Sequence, residues 1–158
     1  MDHEVTLNAN YYLAVDEGLI PLGSIDEVKG TPFDFLEPHA IGERIDNDHP
    51  QLAIAGGYDH CWVLNGEVYE LKNLGNVYEP VSGREMTVKT TEPGVQFYTA
   101  NFMDGSLTGK GKTYQKRGAL CLETQHYPDS PNQPEFPSVR LDPGDTYRST
   151  TIYKFGTR

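Results

Sequence analysis

"REMTVKTTEPGVQFYTAN", residues 84–101, decides the fold class. In its first half Met86 and Val88 share one side and Glu85, Thr87 and Lys89 the other, the period-two alternation of a half-buried strand. In its second half Gln96 alternates out of step with Val95 and Phe97, so the carboxamide and the aromatic ring point to opposite faces. Pro93 and Gly94, residues that interrupt strands, stand between the two.

The same pattern recurs along the chain. "HEVTLNA" (3–9), "HCWVLNG" (60–66), "EVYELKN" (67–73), "GALCLET" (118–124), "PSVRLD" (137–142) and "YRSTTIYKF" (147–155) read as further strands, and no long helix is seen. Asn65-Gly66 predicts a type I′ hairpin between two of these runs, and Pro143-Gly144 a turn between another pair. Residues 30–56 lack a sustained period and read as a connecting excursion with one short helical turn near "AIGERI". "DGSLTGKGKTYQKRG" (104–118) lacks the spacing of a phosphate cradle and reads as a mobile basic loop. The expectation is one all-β domain over residues 1–158, built as two packed antiparallel sheets or one large twisted sheet.

Composition limits the functions open to such a domain. A chain of 158 residues buries a core without staples, and 37% hydrophobic residues with ten tyrosines and six phenylalanines suit a sheet-rich protein. A net charge of −10 with thirteen scattered Lys and Arg argues against nucleic acid as a partner. Cys61 and Cys121 lie in apolar runs without zinc-ligand spacing and are expected as buried free thiols. The start carries no secretory signature and no run of eighteen apolar residues occurs, so a soluble cytoplasmic protein with no membrane partner is expected.

Three side chains stand out chemically. Glu123 follows Leu120 and Leu122 where an apolar strand gives way to polar groups, and partial burial there would make its carboxylate a better proton acceptor. Gln125, His126, Asn132 and Gln133 offer it neutral partners, and four prolines between 128 and 137 stiffen the loop behind it. Asp59 follows Gly56-Gly57 at the mouth of a strand, suited to accept from ligand hydroxyls or simply to cap the turn. Gln96 offers a donor and an acceptor beside aromatic walls, though a glutamine on a strand is more often an exposed surface residue. His60, at a strand start, reads as a structural histidine.

Five ordered segments, "DHEVTLNANYYLAVDEGLIPLGSI", "GTPFDF", "GGYDH", "PGVQFYTANF" and "CLETQHYPDSPNQPEFPS", resemble the aldose 1-epimerase (galactose mutarotase) family. The resemblance implies a galactose-mutarotase-like β-sandwich, interconversion of the α and β anomers of sugars such as galactose and glucose, and no cofactor or metal. It assigns Glu123 as general base and Asp59 and Gln96 as sugar-binding residues. It covers roughly the family's C-terminal half, because the "NHSYFNL"-like segment with the acid histidine has no counterpart, and none of His3, His39, His49, His60 or His126 occupies that position. The alternatives are then a fragment, half of a split enzyme completed by an N-terminal half or by self-association, or a non-catalytic carbohydrate-binding sandwich. Sugar phosphates are disfavoured, since neither "GGYDHCW" nor "CLETQHY" supplies an Arg or Lys.

Overall fold

The computed structural model describes residues 1–158. Twelve strands form: β1 Glu4–Leu7, β2 Tyr11–Val15, β3 Pro21–Glu27, β4 His39–Ala40, β5 Asp59–Val63, β6 Lys72–Glu79, β7 Arg84–Thr90, β8 Gly94–Tyr98, β9 Asp104–Gly109, β10 Lys112–Gln115, β11 Cys121–Gln125 and β12 Thr151–Thr157. They make two five-stranded sheets and a hairpin. Sheet A has the order β12-β7-β6-β1-β4, sheet B the order β11-β8-β5-β2-β3, and β9 and β10 pair only with each other. Every pairing is antiparallel. The sandwich is the first of the two architectures expected.

Residues 84–101 are two strands, as their alternation requires, but β7 belongs to sheet A and β8 to sheet B. Pro93 turns the chain from one layer to the other, and its carbonyl accepts from the amide of Leu64, 3.0 Å away. Met86 and Val88 therefore face Val95 and Phe97 across the interior, where a twenty-residue cluster joins both sheets. Trp62, Tyr58, Phe33, Phe35 and Phe97 are fully buried at its centre, and the indole donates to the Phe33 carbonyl at 2.9 Å. Gly75 lets β6 close on β1: with φ +150 it sits where a Cβ would lie 1.9 Å from the Thr6 carbonyl oxygen.

Several expectations fail for identifiable reasons. Asn65-Gly66 makes no hairpin, because the Asn65 side chain bonds Asn8 and Asn10 of the β1–β2 connection while the chain crosses from β5 in sheet B to β6 in sheet A. The strand expected over 67–73 begins only at Lys72. Residues 137–142 form no strand; the turn beyond them closes from Asp145 N–H to Asp142 O at 3.0 Å without flanking strands. The supposed loop at 104–118 is the β9–β10 hairpin, whose Lys110 (φ 49) and Gly111 (φ 72) are both left-handed, as a two-residue turn demands. Within the 30–56 excursion lie α1 Ile41–Arg44, the turn foreseen, and α2 Pro50–Ala55, which was not. Cys121 is exposed, whereas Cys61 is buried and its thiol is pushed up to about 12. No helix is long and apolar enough to cross a membrane.

Candidate active site

The site is built on the outer face of sheet B, away from sheet A. Register puts Glu123 of β11 opposite Gln96 of β8, and Cys121 and Asp59 opposite Tyr98 from either side. Paired residues share a face, so Asp59, Gln96, Tyr98, Glu123 and Gln125 all project outward, while Leu122, Phe97 and His60 point into the core. With Leu19 and Pro128 the five outward residues line one open cavity of about 390 Å³. Two depressions of about 710 Å³ lie elsewhere, but neither gathers Asp59, Gln96 or Glu123.

Each side chain is positioned by a local device. Gly57, at φ +147, leaves room for Asn101, whose carboxamide would meet a Cβ there at 2.3 Å. Asn101 Nδ2 donates to the Tyr58 carbonyl at 2.9 Å and its Oδ1 accepts from Thr99 Oγ1 at 2.7 Å, which fixes the backbone just before Asp59. Gln96 Nε2 donates to Asp59 Oδ1 at 2.8 Å. Half-burial raises the Asp59 carboxyl above its ordinary range, and the bond from Gln96 opposes that shift. Gln96 Oε1 is buried with no partner in the chain, an acceptor left for something outside it.

The loop after β11 is held as firmly as its prolines suggest, by contacts the sequence does not spell out. Tyr127 and Phe136 pack edge to face, 5.2 Å between centroids, onto Leu13 and Cys61 on the outer face of sheet B. Gly94 makes the seat, since a Cβ would lie 2.8 Å from Cys61 Sγ and 3.1 Å from the Tyr127 ring. Asn132 and Gln133 both donate to the Asp129 carboxylate, and Gln133 also reaches the Pro21 carbonyl at 3.3 Å. They are committed to the loop and do not touch Glu123. His126 also turns away, its Nδ1 lying 2.8 Å from Glu92 Oε2.

The structure brings Asp59, Gln96 and Glu123 together but does not bury Glu123 as expected. β11 is the edge strand of sheet B, so Glu123 is exposed and only Gln125 among its expected partners shares the cavity. His60 is structural, fully buried, with Nε2 3.2 Å from Gln51 Oε1 and Nδ1 accepting from the Asp59 amide at 3.2 Å. Two lining residues were missed. Tyr98 follows from the alternation that selected Gln96; Leu19 sits at φ 62 in the β2–β3 turn, a conformation rare for leucine that no pattern announces.

The sequence model of the family described as aldose 1-epimerase matches residues 1–154. The chain is 48% identical over 155 residues to the galactose mutarotase of Rattus norvegicus, covering 98% of this chain and 44% of that protein. It is 36% identical over 156 residues to the aldose 1-epimerase of Escherichia coli (strain K12), covering 98% of this chain and 45% of that one. Among solved structures, a GalM/aldose epimerase homologue from C. elegans superposes with a TM-score of 0.87 at 28% identity, over 99% of this chain and 46% of the other. The chain thus spans less than half the length of the relatives it matches. On a match running through all but its last few residues, this chain belongs to the aldose 1-epimerase family.

Proposed function

We propose that this chain carries the proton-accepting and sugar-binding part of an aldose 1-epimerase that interconverts the α and β anomers of hexoses such as galactose and glucose. The supporting observation is the convergence of Asp59, Gln96 and Glu123 on one cavity on the outer face of sheet B. Anomer exchange needs a base to take the O1 proton and an opposed acid to protonate the ring oxygen as the C1–O5 bond breaks. The open aldehyde rotates about C1–C2, O5 attacks the other carbonyl face, and the two protons return. Glu123 is the base in this reading. Asp59, tied to Gln96, and the unpartnered Gln96 Oε1 accept from sugar hydroxyls. No histidine lines the cavity, and this reading takes the acid from the part of the family's length that the chain does not span. A cytoplasmic setting belongs to the same reading.

Polarimetry tests it. Freshly dissolved α-galactose with this chain and its complementing segment is expected to mutarotate faster than in buffer, and Glu123→Gln to lose about 10²- to 10⁴-fold of that gain. An equally fast variant overturns the assignment of Glu123. One observation favours a second reading, sugar binding without turnover: Glu123 is exposed and no group of the chain orients it. Calorimetric galactose binding with no acceleration in the completed protein would select that reading.

A further inference from the structure

Two walls of the cavity stand on neighbouring strands that do not pair where the cavity opens. Asp59 begins β5, and Leu19 lies in the turn that follows β2. β2 and β5 are in register only at Tyr11–Val63 and Tyr12–Trp62. Continued antiparallel, that register sets Val15 opposite Asp59. The Thr99 amide donates to the Tyr58 carbonyl on the β8 side, so by alternation the backbone groups of Asp59 face β2. Yet the ladder stops at Tyr12.

Two side chains fill the break. Gln51 of α2 meets Val15 as a paired strand would: its Oε1 accepts from Val15 N–H and its Nε2 donates to Val15 O, each at 2.8 Å. His60 holds the other side, its Nδ1 accepting from the Asp59 amide at 3.2 Å. A ring nitrogen that accepts an N–H carries no proton, so the neutral imidazole has its proton on Nε2, 3.2 Å from Gln51 Oε1. Both lone pairs of that oxygen are then used. The line reaches the cavity at each end. Asp59 Oδ1 accepts from Gln96 Nε2 at 2.8 Å. Past Val15, the Asp16 carboxylate accepts from the amides of Gly18 and Ile20 at 2.8 and 3.0 Å, and Leu19 N–H donates to Asp16 O at 3.0 Å, so the turn follows Val15 as one piece.

We propose that Gln51 and His60 are positioning residues for the sugar: a side-chain splice that keeps β2 and β5 apart, holds Asp59 from behind and sets its distance from Leu19. This rests on the reading of that cavity as the hexose site. Neither side chain lines the cavity, so both act through Asp59 and Leu19. A regular ladder in their place would draw Val15 to strand spacing from Asp59 and narrow the cleft between the two walls.

The experiment is NMR on the full 158-residue chain at pH 7, followed by galactose titration of the same samples. In the parent, a long-range proton–nitrogen spectrum should show the His60 proton on Nε2; a proton on Nδ1, or on both nitrogens, overturns the inference without any variant. An asparagine carboxamide reaches the place of Nδ1 and a glutamine carboxamide that of Nε2, so two substitutions divide the splice. His60→Gln should speed exchange of the Asp59 amide about ten-fold and weaken galactose binding by roughly the same factor, as for one lost hydrogen bond. His60→Asn should keep both within about two-fold of the parent. Gln51→Leu should shift the Asp59 and Leu19 amides together. Equal behaviour of the two His60 variants, or movement of only one wall in Gln51→Leu, overturns the inference. A parent chain whose spectrum ignores galactose sinks the sugar reading of the cavity instead, and the tautomer and amide results still decide whether the splice positions its walls.

Discussion

His60 has no contact with water, and burial holds its imidazole down to about 3, with the nearby His49 pushing the same way. The unfolded imidazole takes its proton near 6.5, so between that pH and about 3 the unfolded chain binds more protons and stability rises with pH. The contribution is whole above 6.5 and is lost as the pH falls; at pH 5 this one side chain costs about 2 kcal/mol. Urea unfolding at pH 7.5 and pH 5 should therefore show a smaller pH difference in His60→Gln than in the parent chain, whatever the variant's absolute stability. Gln51 works beside it, its carboxamide bonding Val15 N and O at 2.8 Å each while its Oε1 faces His60. Gln51→Leu strands those buried groups and should cost about 1–3 kcal/mol, read as a lower denaturation midpoint at unchanged slope. At the residue scale the geometry of the candidate site was partly legible, since Asp59, Gln96 and Glu123 line one cavity. The exposure of Glu123 was not legible, because whether a strand lies at an edge is decided by pairing across the whole sheet.

The proline-rich loop and β11 act as one element. Glu123 keeps its place opposite Gln96 because Tyr127 and Phe136 fasten the following chain to the outer face of sheet B. Phe136 is 5% exposed, and Phe136→Ala should cost about 3 kcal/mol and open residues 126–138 to limited proteolysis, with the core strands still protected. Unchanged resistance would mean that the prolines alone hold the loop. Strands β1, β7, β8 and β11 were readable because each alternates beside a punctuating residue, and β5 as a short apolar run bounded by Gly57 and Gly66. β2 and β3 were missed: β2 is buried on both faces at four of five positions, so its pattern is a run, and β3 is a largely exposed edge with a bulge opposite Ala14. α2 was missed despite a usable signal, since "HPQLAIAGG" sets Pro50 at the first helical position and Gly56, at φ 66, just past the end. The Asn65-Gly66 hairpin failed because a turn signal is local, and here the two flanking strands belong to different layers.

At the scale of the molecule the deciding feature is that one apolar cluster joins both sheets and the 30–56 excursion. Phe33 stacks on Tyr12 at 4.2 Å, lies edge-on to Tyr58 at 5.8 Å, and accepts the indole bond of Trp62 through its carbonyl. The two five-stranded sheets cannot part without opening that cluster, so residues 1–158 should unfold as one cooperative unit. Trp62, the single tryptophan, lies within the cluster and reports its opening, whereas far-UV dichroism reports all strands. The two guanidinium curves should coincide, and Phe97→Ala should move both by the same amount, about 3–5 kcal/mol. Separated midpoints would divide the chain into more than one domain. The β9–β10 hairpin is the expected exception in hydrogen exchange. It pairs with neither sheet and is fastened at its base by the Arg117–Asp46 ion pair and the Arg117 amide bond to Ala100, so its amides should exchange first without a separate step in either curve.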